Sequence, residues 1–214
     1  MSPGSLTLCW AIWFNCGVAF DLYSIDYLKS GSARQRRAYE ALSETGVLVK
    51  IASWGGEEIG LGEEPALAGS LPLDLAFEDS DIDVVTYAPD LKSFAGILRR
   101  EFGEHENFQS QRGISLGVAT LMTTFRFGGE SFEIFSQNIL VPQQNAIIHL
   151  LVEERLLNLG DVAFREKILE ARRRGLKTEL AFGEVLGLED PYRELLTFEE
   201  LSDNELRIRF AGKL

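Results

Sequence analysis

The sequence predicts an α+β fold, in which a mixed sheet flanked by helices is followed by a mostly helical C-terminal half. Short apolar runs with strand alternation are concentrated between residues 65 and 136, and glycine is frequent in the turns between them. After Pro142, apolar residues recur at helical spacing instead. Strands that precede helices are typical of the α+β class, and 214 residues are enough for a full core.

Local signals predict the elements of the first part of the chain. Gly46 ends a first helix, because glycine is favoured directly after a helix, and Asp90 caps a second one. The Gly128-Gly129 pair is a tight-turn signal between two strands. The predicted elements are a helix over 32–45, a loop over 55–64, strands over 65–69 and 80–88, a helix over 90–102, and a hairpin of strands 115–127 and 131–136.

Helices account for the rest of the chain. The first of them, over 143–159, is apolar on almost every side, so we expect it to be buried and His149 within it to be a core histidine. The further predicted helices are one capped by Asp161, one between Thr178 and Gly187, one opened by Asp190-Pro191, and a last one with a capping box of Thr197 and Glu200.

The predicted elements divide the chain into an extra N-terminal segment (1–23), an α+β core (24–141) and a helical region packed on the core (142–214). The apolar stretch 6–20 lacks a basic start and a clear cleavage site, and it is too short to cross a bilayer. It is either an added strand or helix, or the product of a wrongly chosen start codon. Cys9 and Cys16 show no metal-binding spacing, so we expect a reducing, cytoplasmic compartment and no membrane.

The chemistry is concentrated around an acidic strand. Side chains alternate along a strand, so Asp81 and Asp83 point the same way while Ile82 and Val84 point into the core. Glu133 has the same apolar neighbours in a later strand, which can place it beside them. Clustered carboxylates suit Mg²⁺ or Mn²⁺, since such ions bind through a few carboxylates, water and substrate phosphates.

Gly69-Ser70 precedes the acidic strand and fits a phosphate-binding role. Glycine lets the backbone approach a phosphate closely, and a helix or turn beginning at Ser70 would direct N–H groups toward it. The cluster around Arg34 and Arg37 is either a solvated helix face or a second source of phosphate contacts. The acids also have a plain alternative, the solvated face of an edge strand.

These motifs resemble the nucleotidyltransferase superfamily, whose pattern is Gly-Gly/Ser, an Asp-x-Asp strand and a third acid. More narrowly, the chain is similar to a bacterial family classed as a domain of unknown function within that superfamily, over roughly residues 24–197. The stretches that carry the similarity are 27–31, 34–39, 69–73, 80–83, 132–135 with Gln137, 144–146 with His149, and 175–179. The resemblance implies the fold and the acid triad, and it names no substrate.

We therefore expect a Mg²⁺-dependent enzyme that moves a nucleoside monophosphate from a nucleoside triphosphate to an unidentified acceptor hydroxyl. Asp81, Asp83 and Glu133 would bind metal, with Glu133 also the base, and Gly69, Ser70, Arg34 and Arg37 would contact the nucleotide. The formal net charge of −12 argues against non-specific binding to nucleic acid. The alternatives are a catalytically weak nucleotide-binding module of the same fold and a partner-binding protein.

Overall fold

The computed structural model describes residues 21–54 and 64–214. The chain forms two compact units, one comprising Leu22–Leu150 and the other containing Leu151–Leu214. The extra segment predicted over 1–23 and the loop predicted over 55–64 lie almost entirely outside the described residues.

Among the described residues, three α-helices lie wholly within the first unit: α1 (Ala33–Thr45), α2 (Val47–Ser53) and α3 (Leu91–Phe102). Helix α1 begins with a capping box, in which the Ser32 hydroxyl accepts from the Gln35 backbone N–H and the Gln35 side chain accepts from the Ser32 backbone N–H. It ends at Gly46, whose φ of 62° lies in the left-handed region. Asp90 caps α3 as predicted, by accepting from two backbone N–H groups. A short 3₁₀ helix, Asp26–Ser30, precedes α1.

A five-stranded mixed sheet forms the other part of this unit, in the order β1-β2-β5-β4-β3. Strands β2 and β5 pair in parallel, and the remaining neighbours are antiparallel, which confirms the predicted mixed sheet flanked by helices. The strands are β1 (Ala66–Ala68), β2 (Ile82–Tyr87), β3 (Glu106–Ser115), β4 (Val118–Phe127) and β5 (Glu130–Gln137).

Two features of the sheet differ from the sequence-based expectations. Strand β2 lies between β1 and β5, so the alternative that its acids line an edge strand is wrong. Strands β1 and β3 are the edges, and β3 was not predicted from the sequence. The side chains of β3 are exposed or half-exposed, so its sequence lacks the alternation of apolar and polar residues by which a strand is predicted. It is joined to β4 through a turn at Leu116-Gly117, both at positive φ.

The core of this unit lies on one face of the sheet. Ile82, Val84 and Ile134 are completely buried there, in a cluster that also includes Leu42 of α1 and Leu98 of α3. Phe102, Phe125 and Phe132 stack nearly parallel, with successive ring centroids 4.9 Å apart. Because side chains alternate along each strand, residues next to these core positions point to the opposite face. That face carries the candidate site.

Helix α4 (Asn145–Leu159) begins in the first unit and ends in the second, and its residues His149 and Glu153 are buried. The helices that follow are α5 (Val162–Arg173), α6 (Thr178–Leu186), α7 (Pro191–Thr197) and α8 (Asp203–Arg209). Short 3₁₀ helices cover Val141–Gln143 and Phe198–Glu200. The helical C-terminal half is thus confirmed. Within the described residues, none of the helices has the length and apolarity needed to span a bilayer.

The caps of these helices agree with the sequence except at the last one. The Asp161 side chain accepts from the Phe164 backbone N–H, as predicted. The capping box predicted for Thr197 and Glu200 is wrong, because the Thr197 hydroxyl donates back to the Glu194 carbonyl instead. Ser202 and Glu205 form the box, so α8 begins later than expected.

Glu153 is a buried carboxyl within the second unit. It is 2% exposed, and its Oε1 has no hydrogen-bond partner among the described residues. Burial raises the pKa of Glu153 well above its usual range; the nearby Glu179 raises it further, whereas Arg172 lowers it. Glu153 is therefore a candidate for a neutral carboxylic acid at physiological pH.

Candidate active site

Two of the predicted acids lie side by side on neighbouring strands. Asp83 of β2 and Glu133 of β5 are register partners in the parallel pair. Both are half-buried, on the face opposite the fully buried Ile82 and Ile134. Neighbouring strands are about 4.8 Å apart, so carboxylates at paired positions on the same face are within reach of one shared cation.

Gly69 lies directly against Asp83. Strand β1 pairs Ala68 with Asp83, and Gly69 follows with a φ of 67°. A Cβ atom at this position would lie 3.0 Å from Cγ of Asp83 and closer still to Oδ2. Only glycine meets both requirements, the left-handed backbone and the contact with the carboxylate. The Gly-Ser motif and the acidic strand therefore belong to one constellation.

The segment after Gly69 is a tight turn, one of the two forms expected for it. Ser70 is buried, and its carbonyl accepts from the Leu75 backbone N–H at 3.0 Å. The Leu71 carbonyl accepts from the Asp74 backbone N–H at 3.2 Å and from Nε2 of Gln35 at 3.0 Å. Gln35 thereby ties the start of α1 to the turn and fixes its position beside the acids.

Asp81 stands apart from the paired acids. It precedes the first residue of β2, and its side chain is exposed. Across residues 21–54 and 64–214, no three His, Cys, Asp or Glu side chains form a group that could hold a metal ion. The structure thus brings Asp83 and Glu133 together without forming the three-carboxylate group we expected. The role of Asp81 as a metal ligand stays a prediction.

Arg34 is buried, so the interpretation of a solvated helix face is wrong for this residue. Its Nε donates to the Phe77 carbonyl at 3.0 Å, and a terminal nitrogen donates to the Ser80 carbonyl at 2.7 Å. The same nitrogen lies 2.9 Å from a carboxylate oxygen of Glu130. The guanidinium thus connects α1, the segment before β2 and the hairpin of β4 and β5. Its contact with nucleotide phosphates stays a prediction.

Arg37 lies on the same side of α1 and is more exposed. Its guanidinium forms ion pairs with Glu78 at 2.5 Å and with Glu130 at 3.7 Å. Both arginines therefore converge on Glu130, a residue that the sequence analysis did not select. Glu130 directly follows the Gly128-Gly129 turn, and an acid at that position gives no separate sequence signal. Phosphate binding by Arg37 also stays a prediction.

A polar row extends the site across the sheet. Glu133 pairs with Thr124 of β4, and Thr124 pairs with Gln109 of β3. Paired residues in antiparallel strands have side chains on the same face, so Asp83, Glu133, Thr124 and Gln109 form one line. Sequence reasoning missed Thr124 and Gln109, because their proximity to the acids depends on an edge strand that it did not predict.

Comparison with known proteins gives the family. Residues 40–198 match the family described as "Domain of unknown function (DUF4269)". The chain belongs to this family. The predicted similarity to a family of unknown function is thereby confirmed. The matched range contains the Gly69 turn and both paired acids of the DUF4269 chain. No match is found among curated proteins.

Among solved structures, the DUF4269 chain is similar to the GLD-2/RNP-8 complex, with a TM-score of 0.49 and 13% identity, covering 88% of this chain and 72% of that chain. It is also similar to Cid1 poly(U) polymerase with Mg 3′-dATP bound, with a TM-score of 0.46 and 16% identity, covering 88% of this chain and 52% of that chain. A third similar structure is the polymerase core of TRAMP, with a TM-score of 0.42 and 16% identity, covering 88% and 60% of the two chains. The DUF4269 chain spans about half of the Cid1 chains, for example 43% and 52% of their lengths.

Proposed function

We propose that this protein is a Mg²⁺- or Mn²⁺-dependent nucleotidyltransferase that moves a nucleoside monophosphate from a nucleoside triphosphate to an acceptor hydroxyl. The observation that carries the proposal is the position of three residues side by side. Gly69 directly follows β1, Asp83 lies in β2 and Glu133 lies in β5. A phosphate-binding turn beside paired carboxylates is what phosphoryl transfer needs, since its catalysis is mainly positioning and charge neutralisation.

The residues present fit a divalent cation. Asp83 and Glu133 offer hard oxygen ligands at paired positions, and Gly69, which lies against Asp83, has no side chain that would keep a phosphate away from them. Asp81 is proposed as a further ligand from the start of β2. When bound, the cation would neutralise the charge of the triphosphate and of the acids.

The protein's own groups would perform the remaining tasks. The N–H groups and hydroxyl of the Gly69-Ser70 turn would bind the phosphates that leave as pyrophosphate. Glu133 would accept the proton of the attacking hydroxyl. Arg34 and Arg37 hold the segment that precedes Asp81 through the Phe77 and Ser80 carbonyls and the Glu78 carboxylate. Further contact of either arginine with the phosphates is part of the proposal.

A nucleotide-binding module of the same fold, with weak or no turnover, is the second candidate. One observation favours it: the described residues contain a carboxylate pair and no group of three. Such a module would bind the triphosphate through the same turn and acids without a complete catalytic set. A partner-binding protein would bind no nucleotide.

Thermal shift with ATP, GTP, CTP and UTP, each with and without Mg²⁺, separates these candidates. A nucleotide at 100 times its Kd stabilises the folded state by about 2.7 kcal/mol, so the enzyme and the module should show a metal-dependent shift. Asp83→Asn should abolish it. Asp79→Asn, which removes an exposed charge just before the site, is the matched control and should retain it. Pyrophosphate release then distinguishes the enzyme from the module.

If no triphosphate stabilises the wild-type protein with Mg²⁺ or with Mn²⁺, the proposed function is wrong and the protein is better explained as a partner-binding protein. If the shift persists in Asp83→Asn, nucleotide binds elsewhere on the molecule.

A further inference from the structure

We propose that the acceptor hydroxyl binds beyond Glu133, on β4 and β3, where Thr124 and Gln109 hold it, and that the acceptor is an uncharged, hydroxyl-bearing small molecule. This site follows only if the protein transfers nucleotides as proposed above. The observations behind it are the register of four strands, the change of exposure along them, and the uncharged side chains of Gln109, Gln111 and Met122 beside Thr124.

The register of the strands places the site residues in one line across the sheet. Asp83 pairs with Glu133, Glu133 with Thr124, and Thr124 with Gln109, so these side chains cross β2, β5, β4 and β3 in sequence. Neighbouring strands along this line are about 4.8 Å apart. Gly69 lies at the Asp83 end of this line. The phosphates and the two neutral side chains therefore lie on opposite sides of Glu133.

Exposure increases along the same line. Ala68, the β1 partner of Asp83, is 2% exposed. Asp83, Glu133 and Thr124 are half-buried, and Gln109 is exposed. Exposure along the line is therefore lowest at Ala68 of β1 and highest at Gln109 of β3. A second substrate would therefore enter from the β3 side.

The geometry of the transfer requires this arrangement. The acceptor oxygen forms a bond to the α-phosphorus while the bond from that phosphorus to the pyrophosphate oxygen breaks, and attacking and leaving oxygens lie roughly in line. The hydroxyl proton passes to Glu133, and pyrophosphate leaves with the bonding electron pair. Because the Gly69-Ser70 turn holds the leaving group on one side, the attacking hydroxyl must come from the other, where Thr124 can hydrogen-bond it.

The side chains around Thr124 indicate the chemistry of the acceptor. On the same face, the next row pairs Gln111 with Met122 and Met122 with Phe135. Met122 is 41% exposed, so it offers an apolar surface next to the hydrogen-bonding groups of Thr124, Gln109 and Gln111. These positions carry no charge. They suit a molecule with hydroxyls and apolar carbon faces, such as a sugar ring, better than one held by its phosphates.

Arg126 is the nearest cation on this face of β4, two residues from Thr124. Its guanidinium donates to the Gly129 carbonyl at 3.0 Å, within the hairpin turn. An acceptor bound by its phosphates would rely on this arginine, which makes Arg126→Gln a test of the competing chemistry.

The experiment uses the full chain with Mg²⁺ and the triphosphate that gives the largest thermal shift. Methyl glucoside and myo-inositol serve as uncharged probes, and glucose 6-phosphate and a short oligoadenylate serve as phosphate-bearing probes. Saturation-transfer NMR in the presence of a non-hydrolysable triphosphate analogue reports binding of each probe. Transfer of label from an α-³²P triphosphate reports whether the probe is an acceptor.

We expect an uncharged probe to bind and accept label. Thr124→Val should weaken its binding about tenfold, the value of roughly one hydrogen bond, and leave the KM for the triphosphate unchanged. Thr123→Val is the matched control: it is the same substitution on the buried face of β4, where its hydroxyl contacts Ser110. Melting temperatures of both variants check the fold, and the control should bind the probes as the wild type does.

The acceptor site is overturned if only phosphate-bearing probes bind or accept label and Arg126→Gln abolishes this. It is also overturned if no uncharged probe binds, or if Thr124→Val weakens triphosphate and probe equally. These outcomes differ from failure of the proposed function, in which Asp83→Asn leaves nucleotide binding unchanged or the wild type binds no nucleotide.

Discussion

Gly69→Ala tests whether the Gly-Ser turn and the acidic strand form one site. Alanine at a φ of 67° costs about 1–2 kcal/mol for the left-handed backbone. Its Cβ would also displace the Asp83 carboxylate, whose Cγ lies 3.0 Å away from the added atom. Overpacking of this kind costs about 1–3 kcal/mol. We expect a total loss of about 2–5 kcal/mol, together with loss of metal-dependent nucleotide binding.

Gly46→Ala separates the cost of the left-handed backbone from the cost of the contact with Asp83. Gly46 has a nearly equal φ of 62°, and an added Cβ would meet nothing nearer than a Lys50 side-chain carbon at 4.0 Å. This variant should lose only the backbone term, about 1–2 kcal/mol, and keep nucleotide binding. Urea denaturation of the wild type and both variants gives the free energies of unfolding, and thermal shift with nucleotide and Mg²⁺ gives binding.

A double-mutant cycle with Asp83→Ala identifies the source of the clash. If the Asp83 side chain causes the excess loss, Gly69→Ala should cost less in the Asp83→Ala background, with a coupling of about 1–3 kcal/mol. The reasoning is refuted if Gly69→Ala destabilises no more than Gly46→Ala and still binds nucleotide. Zero coupling would show that the turn and the acid are independent.

Three further perturbations have definite expected outcomes. Arg34→Met should destabilise the protein by about 3–5 kcal/mol in urea denaturation, because it removes a buried cation and leaves the Glu130 carboxylate facing the more distant Arg37. Arg37→Ala on the more exposed pair with Glu78 should cost about 1 kcal/mol or less; equal losses would contradict this. Glu133→Gln should slow transfer by about 10²–10⁴-fold while retaining much of the nucleotide affinity, if Glu133 is the base, and unchanged single-turnover rates would make it structural. Burial raises the pKa of Glu153 in the folded state, so the contribution of this carboxyl to stability is complete below its unfolded pKa and is lost as pH rises through the raised folded pKa, because the unfolded chain releases the proton first. The free energy of unfolding of Glu153→Gln should lack this decrease, and an identical pH dependence of wild type and variant would contradict the reasoning.

Local features of the fold were predictable because their physical cause lies within a few residues. Asp90 and Asp161 cap helices through side-chain hydrogen bonds to backbone N–H groups two or three positions away. The same logic fails where two local patterns compete. Thr197 with Glu200 and Ser202 with Glu205 have equal spacing, and only the fold decides that the second one is used.

The site was predictable in its residue types and less so in its geometry. Apolar neighbours showed that Asp83 and Glu133 lie on strands and face away from the core, but their direct pairing depends on strand order, which the sequence does not encode locally. Arg34 could not be recognised as buried, because the acceptors of its hydrogen bonds are the main-chain carbonyls of Phe77 and Ser80. A carbonyl belongs to every residue and leaves no sequence pattern.

The parallel pairing of β2 and β5 also affects how the protein folds. The chain runs through α3 and the hairpin of β3 and β4 before β5 can join β2, so this contact closes a long loop. Contacts of long sequence separation carry an entropy cost that local hairpins do not, and they tend to form late. We therefore expect Asp83 and Glu133 to become neighbours late in folding. Their mutual repulsion would oppose that last step, and a divalent cation would accelerate it while leaving formation of the β3–β4 hairpin unaffected.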